Sequence, residues 1–172
     1  MNPLHLRALD YFFIPYTYLG DGLFVIALAI ILFFSKKRYL ALMIISSYAL
    51  SGIIAQVLKF FIEEPRPAFY LAKTNYSNFI EGVTLHNLHS FPSGHTTSAF
   101  SLAATLGFAV KNKNYSILFL LLAALVGYSR IYLGQHFMND LLAGSIIGML
   151  SAIVCWIYFD KILKRILRLS TA

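Results

Sequence analysis

Five long apolar runs, separated by short charged or polar connectors, constrain this chain more than any other feature of its sequence. They cover about Tyr18–Ser35, Tyr39–Ile62, Ser93–Val110, Tyr115–Leu133 and Phe137–Phe159. A helix needs about 20 mostly apolar residues to cross the hydrocarbon core of a bilayer. In lipid, such a segment must also satisfy its own backbone hydrogen bonds, which favours helices. We therefore predict an all-α, integral membrane helical bundle with about five transmembrane helices, forming one membrane-embedded domain over residues 1–172.

Composition supports a membrane protein over a soluble one. Only 12% of the residues are charged and 59% are hydrophobic, whereas a typical soluble domain is about 25% charged. Residues 1–17 mix Leu and Phe with Arg7 and Asp10, a pattern that predicts an N-terminal interfacial helix lying on the membrane surface. A short sixth span over this segment is the alternative.

The basic residues predict how the chain is oriented in the membrane. Most of them follow the first and third apolar runs or lie in the C-terminal tail, namely Lys36, Lys37, Arg38, Lys111, Lys113, Lys161, Lys164, Arg165 and Arg168. Cytoplasmic loops carry such an excess of Lys and Arg. We therefore expect a multi-pass protein of the inner (plasma) membrane with a cytoplasmic C-terminus. The long 63–91 loop and the turn at Gly134 then face the periplasm or the outside, and nucleic acid is not an expected partner.

A second group of ionisable residues gathers at the outer ends of the predicted helices. These residues belong to three blocks, Lys59–Pro67, Pro92–His95 and Ser129–Asp140. Each charge near the bilayer core costs about 2.5–3.5 kcal/mol on insertion scales, so structure alone rarely explains several of them. Together the blocks supply three cations, two imidazoles and one carboxylate, which is the chemistry needed to bind and cleave a phosphate ester.

The middle block begins a helix with Ser93 and Gly94, followed by His95. The first turn of a helix has backbone N–H groups without intrahelical partners, and the helix dipole favours an anion there. A serine at this position is usually only a helix cap, so this block taken alone is a moderate signal.

The third block places His136 four residues before Asp140, after Arg130. This spacing puts the two side chains on one helical face if the helix begins by Gln135. A carboxylate that binds one imidazole nitrogen fixes the tautomer and makes the other nitrogen a better nucleophile. The alternative is an aspartate that only complements the helix dipole.

The first block contains Lys59 near a helix end and Arg66 between two prolines. Pro65 and Pro67 favour extended backbone around Arg66, whose guanidinium can bind phosphate oxygens in a bidentate manner. The alternative for Lys59 is a side chain that reaches the lipid headgroups without a ligand, although the positive-inside rule gives no reason for a lysine at the outer end.

In combination, the blocks K-x6-RP, PSGH and SR-x5-H-x3-D resemble the type 2 phosphatidic acid phosphatase family, and every specified position is filled in order. The resemblance implies that His136 attacks phosphorus to form a phosphohistidine and that Asp140 orients the imidazole of His136. It implies that His95 protonates the leaving oxygen and then activates water. The phosphoryl oxygens would be held by Lys59, Arg66, Ser93, the Gly94 N–H and Arg130. No metal or other cofactor is expected, because three cations supply the positive field.

The resemblance implies a hydrolase that acts on a membrane lipid phosphate or pyrophosphate at the outer face. Candidate substrates are undecaprenyl pyrophosphate, phosphatidylglycerol phosphate and phosphatidic acid, followed by the 1- or 4′-phosphate of lipid A. A vanadium-dependent haloperoxidase, which shares this pocket, is a remote alternative because those enzymes are soluble or peripheral. A phospholipid-headgroup transporter is another, but it would need neither His95 nor the His136–Asp140 pair.

Two further patterns allow more than one interpretation. His86 and His89 are three residues apart and could form a metal pair, but no third ligand is nearby. Gly144 and Gly148 belong to a small-residue face that is typical of close helix packing. The sequence does not indicate whether that face meets the chain's own helices or a second subunit, so the oligomeric state stays open.

Overall fold

The structure, a computed structural model, describes residues 6–74 and 80–167 and contains only helices, turns and loops in those ranges. The all-α prediction is confirmed. The helices are α1 (Arg7–Tyr16), α2 (Gly22–Phe34), α3 (Arg38–Phe61), α4 (Pro67–Leu71), α5 (Gly94–Ala109), α6 (Lys113–Tyr132) and α7 (Met138–Ile166), and a 3₁₀ turn, Thr17–Gly20, joins α1 to α2.

Each of the five apolar runs forms a helix, but the helices differ in length. Among the described residues α3, α6 and α7 are long and apolar enough to cross a membrane, and α1 with α2 forms a fourth candidate with a 60° bend. Helix α5 has only 16 residues. The protein is therefore a membrane-integrated helical bundle, while five as the number of spans stays a prediction. Helix α7 continues to Ile166, past the expected end at Phe159, because neither glycine nor proline interrupts the basic tail.

The N-terminal segment forms the expected helix, and it packs against α6. Phe13 of α1 is buried in a cluster with Tyr132 and Leu133 at the end of α6. After the 3₁₀ turn, the side chain of Asp21 accepts a hydrogen bond from the N–H of Leu23 at 2.8 Å and caps α2. The bend therefore holds Asp21 at the same end of the bundle as the end of α6.

Helix α5 lies at the centre of the bundle and contacts α7 most closely. A Cβ atom at Gly144 would lie 2.8 Å from the carbonyl oxygen of Ser93, and one at Gly148 would lie 2.4 Å from that of Thr97. Only glycine permits this approach of two helix backbones. The small-residue face of α7 therefore packs on the chain's own α5, which answers the question that the sequence left open.

The long connection between α3 and α5 returns on itself. The N–H of Arg66 donates to the carbonyl of Asn87 at 2.8 Å, and the N–H of Ser90 donates to the carbonyl of Glu64 at 2.9 Å. Arg66 is extended, as its flanking prolines predicted, and it precedes α4, a short helix that the sequence analysis did not anticipate. These backbone hydrogen bonds join the two ends of the loop at one end of the bundle.

Candidate active site

The three sequence blocks meet at one end of the bundle, where α3 and α6 end and α5 and α7 begin. Backbone hydrogen bonds join the segments directly: the N–H of Ser93 donates to the carbonyl of Asp140 at 3.1 Å, and that of His136 donates to the carbonyl of Arg130 at 3.3 Å. Residues far apart in sequence therefore share one rigid frame, which we call the candidate active site.

His136 and Asp140 form a buried pair at the start of α7. Nδ1 of His136 lies 3.3 Å from Oδ2 of Asp140, and the two side chains are only 3% and 1% exposed. Helix α7 begins at Met138, one residue after the predicted start at Phe137, so the condition of a start by Gln135 is not met and His136 lies in the turn before the helix. The pair forms nevertheless, since Oδ2 of Asp140 also accepts from the N–H of Phe137 at 2.8 Å and so folds back over the helix start.

Ser90, which the sequence analysis did not single out, completes this arrangement. Its hydroxyl donates to Oδ2 of Asp140 at 2.5 Å and lies 3.5 Å from Nδ1 of His136. With Nδ1 directed at the carboxylate, Nε2 of His136 is the nitrogen left for a ligand. No sequence pattern marks Ser90, because it reaches the site only through the folded loop.

Burial lowers the pKa of His136 to about 4, and the positive charges of Arg66 and Arg130 act in the same direction. The hydrogen bond to Asp140 and the charge of that carboxylate oppose this shift but do not cancel it. The imidazole is therefore neutral at neutral pH and carries a lone pair, which is the form required of a nucleophile.

The first turn of α5 faces open space. Ser93 caps the helix, and its hydroxyl oxygen accepts from the hydroxyl of Thr96 at 2.9 Å. A Cβ atom built on Gly94 would meet nothing within 4 Å. The backbone N–H groups at this helix start can therefore be approached by an anion, as the PSGH block predicted.

Arg130 is directed into the same region from the end of α6. It is 8% exposed, and its Nη1 donates to the hydroxyl of Thr17 at 2.9 Å. Its Nε is buried and has no hydrogen-bond partner in the part of the chain that the structure describes. A buried guanidinium N–H without an acceptor is rare, and an anion between Arg130 and the start of α5 would supply the acceptor.

The remaining two cations are held by the loop. Nζ of Lys59 donates to the carbonyl of His89 at 2.6 Å. Nε of Arg66 donates to the carbonyl of Leu88 at 3.0 Å, and its Nη1 donates to the amide oxygen of Gln135 at 3.1 Å. Backbone carbonyls and an amide therefore orient both cations without neutralising them, so their positive charge remains available to an anion.

His89 has a structural contact rather than a metal contact. Its Nδ1 lies 3.2 Å from the carbonyl oxygen of Lys59, while His86 is exposed on the loop. Within residues 6–74 and 80–167, no three His, Cys, Asp or Glu side chains are placed to bind a metal ion. The metal-pair alternative for His86 and His89 has no support in this geometry.

His95 lies opposite a carboxylate that the sequence analysis missed. Its Nε2 is 3.8 Å from Oδ2 of Asp21, and both side chains are partly exposed. His95 lines a cavity of about 190 Å³ together with Lys59, Tyr48 and Gln56. His136 does not line this cavity.

The fold and the site define a class: a helical membrane protein with a buried carboxylate–histidine pair beside an anion-binding helix start. The PAP2 superfamily profile matches residues 38–164, about three quarters of the chain and all three blocks. The chain belongs to the PAP2 superfamily, and the resemblance inferred from its motifs is confirmed.

Individual relatives agree with this assignment. The chain is 33% identical to phosphatidylglycerophosphatase B of Bacillus subtilis over 78% of this chain and 67% of that protein. It is 34% identical to lipid A 4'-phosphatase of Porphyromonas gingivalis over 73% of this chain and 55% of that protein. The chain thus spans between about half and two thirds of the length of these curated relatives.

Solved structures show the same fold over nearly the whole chain. The crystal structure of Aquifex aeolicus LpxE aligns with a TM-score of 0.76 and 34% identity, covering 91% of this chain and 90% of that one. The transmembrane PAP2-type phosphatidylglycerolphosphate phosphatase of Bacillus subtilis aligns with a TM-score of 0.75 and 29% identity, covering 92% and 80%.

Proposed function

We propose that this protein is a metal-independent lipid phosphatase that removes a phosphate group from a membrane lipid phosphate or pyrophosphate. The observation that carries the proposal is the buried pair of His136 and Asp140 at the same end of the bundle as Arg130, whose Nε has no partner among the described residues. A nucleophile and an anion-binding site within one frame are what phosphoryl transfer requires.

In the first step, Nε2 of His136 attacks phosphorus and the bond from phosphorus to the lipid oxygen breaks. His95 donates its proton to that leaving oxygen, so the lipid departs as a neutral alcohol or a protonated phosphate. The imidazole ring of His136 becomes positively charged as the phosphorus–nitrogen bond forms. Asp140 stabilises this charge through Nδ1, as a buried carboxylate does for an attacking or protonated histidine.

In the second step, His95 is neutral and takes a proton from water. The resulting hydroxide attacks phosphorus, the phosphorus–nitrogen bond breaks, and His136 returns to its neutral form as inorganic phosphate leaves. His95 then carries the proton that the next cycle needs.

Positive charge and backbone N–H groups stabilise the oxygens that develop charge during transfer. Arg130 and the start of α5 at Gly94 are already open to such an anion. Lys59 and Arg66 add charge from the loop side, and Ser93 sets the direction of the helix start. These groups supply the field that a metal ion would otherwise provide.

The substrate class follows from the chemistry and from the relatives' names. A polar site at the end of apolar helices suits a phosphate attached to a membrane-embedded lipid. Relatives are named for phosphatidylglycerophosphate, lipid A and undecaprenyl diphosphate hydrolysis. We place the chain in the inner (plasma) membrane with its C-terminus in the cytoplasm and its site facing the periplasm or the outside, on the distribution of Lys and Arg.

The experiment that tests this function is phosphate release by the purified protein in detergent, with EDTA present, across a panel of these lipids. His136→Ala serves as the blank, and His86→Ala, on the exposed loop, serves as a matched histidine control. Release that persists in EDTA and in the control but disappears in the blank supports the proposal. Folded protein that releases no phosphate from any lipid would refute it.

A further inference from the structure

A second, larger cavity of about 900 Å³ lies at the opposite end of the bundle from the candidate active site. Its rim is the turn between α2 and α3, with the consecutive cations Lys36, Lys37 and Arg38. Its walls are apolar or aromatic and include Leu106, Phe108 and Trp156. We call it the basic cavity.

The basic cavity arises because neighbouring helices differ in length. Helix α5 has 16 residues and ends at Ala109, whereas α3 has 24 and α7 has 29. The start of α3 (Arg38), the end of α5 (Ala109) and the residue after α7 (Leu167) line the resulting gap together. Trp156 fills part of this gap, with its ring centroid 5.4 Å from that of Phe108 and 6.2 Å from that of Tyr39.

The charge of this cavity is uncompensated. No carboxylate lines it, and none of its three cations forms an ion pair within the described ranges. Asp160 accepts a hydrogen bond from Tyr39, which lines the cavity, and pairs with Lys164 at 3.1 Å. The cations are exposed, so they can meet an anion from solvent or from a lipid surface.

The basic cavity cannot belong to the catalytic site. Arg38 and Lys59 lie near opposite ends of α3, and a rise of about 1.5 Å per residue separates them by roughly 30 Å. That distance is close to the hydrocarbon thickness of a bilayer, also about 30 Å. The two sites therefore face opposite leaflets.

We propose that the basic cavity binds the headgroup of an anionic phospholipid from the leaflet opposite the active site. The phosphate of the headgroup contacts Lys36, Lys37 and Arg38, and the first part of the acyl chains lies against Leu106 and Phe108. Basic pockets between helices at a membrane surface suit anionic headgroups, and Trp prefers the interface between headgroups and chains. A zwitterionic lipid gains less, because its own cation is repelled by the rim.

The protein contains a built-in reporter for this proposal, because Trp156 is its only tryptophan and lines the cavity. The experiment measures quenching of its fluorescence by phosphatidylglycerol with brominated acyl chains, in detergent micelles, against phosphatidylcholine carrying the same chains. We expect half-maximal quenching by the anionic lipid at a mole fraction at least about fivefold lower, equivalent to about 1 kcal/mol.

Two charge variants separate a specific site from general attraction to the membrane. Lys36→Gln/Lys37→Gln should abolish the difference between the two lipids. Lys111→Gln/Lys113→Gln removes the same charge from the neighbouring connector, outside the cavity lining. This variant should preserve the difference in quenching between the two lipids. Phosphate release by all variants should match the unmodified protein, which shows that they are folded. Equal quenching by both lipids in the unmodified protein, or equal losses in the two variants, would overturn the proposal.

Two further arms identify the source of the anion. Inorganic phosphate added in excess should leave the lipid preference intact. If the preference disappears when phosphate is added, the cavity binds free phosphate rather than a lipid. Lys59→Gln weakens the candidate active site and should not change the quenching. A preference that disappears in Lys59→Gln would assign the signal to the active site and refute a second lipid site.

Discussion

The imidazole of His95, at the start of α5, faces the carboxylate of Asp21, which caps α2, with 3.8 Å between Nε2 and Oδ2. The proposed general acid must carry a proton while two arginines stand in the same site. Asp21 is the carboxylate that offsets this repulsion and stabilises the protonated imidazole. Because Asp21 also accepts from the N–H of Leu23, the bend between α1 and α2 determines where this charge lies.

Asp21→Asn should slow the release of lipid leaving groups by at least about tenfold, which is less than the roughly 10²–10⁴-fold of general acid catalysis because Asp21 acts only through His95. The amide retains the helix cap but removes the negative charge beside His95. Hydrolysis of nitrophenyl phosphate, whose leaving group needs no proton, should change much less. Equal losses on both substrates would mean that Asp21 acts only on the structure.

His136→Ala should reduce phosphate release by about a thousandfold or more, as loss of a nucleophile does, without unfolding the protein. Rapid acid-free quenching of the unmodified protein with radiolabelled substrate should also trap a phosphohistidine that the variant lacks. A variant that retains activity within about tenfold would contradict the covalent step.

Ser90→Ala should lower kcat by about ten- to a hundredfold with little change in KM. The substitution removes a hydrogen bond to a charged group, worth about 1.5–3 kcal/mol, from the carboxylate that orients His136. Ser145→Ala is the control, because its exposed hydroxyl bonds only within α7. A fall in thermal stability without a fall in kcat would show that Ser90 stabilises the loop and not the nucleophile.

Gly148→Ala should destabilise the bundle by about 1–3 kcal/mol, the usual cost of overpacking. Its new Cβ would lie 2.4 Å from the carbonyl oxygen of Thr97, which cannot move without shifting α5. Gly52→Ala is the matched control, since nothing lies within 4 Å of its Cβ, and alanine should stabilise α3 by about 0.5–1 kcal/mol. Thermal unfolding in detergent measures both, and equal effects would argue against close α5–α7 packing.

The low pKa of His136, about 4 against 6.5 for a free histidine, predicts a loss of stability in acid. Between these values the unfolded chain binds a proton that the folded protein does not, so stability falls as the pH is lowered from 6.5 towards 4. The melting temperature of His136→Gln should fall less over this range than that of the unmodified protein. His86→Gln, on the exposed loop, should behave as the unmodified protein does.

The membrane-integrated helical class could be read from the sequence because it depends on local properties. Long apolar runs and charged connectors specify helices that cross or line a bilayer wherever they occur. The three blocks could be recognised for a similar reason, since each has a short internal spacing. The start of α5 at Gly94 was predicted correctly because a helix cap is encoded within a few residues.

Contacts between distant segments were not predictable in the same way. Helix α7 begins within one residue of the predicted Phe137, but the hydrogen bond from the N–H of Phe137 to Asp140, which brings His136 to the carboxylate from outside the helix, was not foreseen. The contributions of Ser90, Gln135 and Asp21 were missed altogether. Each reaches the site from a loop or another helix, and a serine, glutamine or aspartate in such a segment has no distinctive pattern.

The sequence by itself determined the helical membrane class, the family and the residue types of the site, because hydrophobic length and motif spacing are local features of the chain. Only the tertiary structure decided which groups surround those residues. Backbone contact between α5 and α7 brings Ser93 to Asp140, and the returning loop brings Ser90 to the same carboxylate. Such contacts join residues distant in sequence, so they depend on how whole helices pack and not on any segment alone.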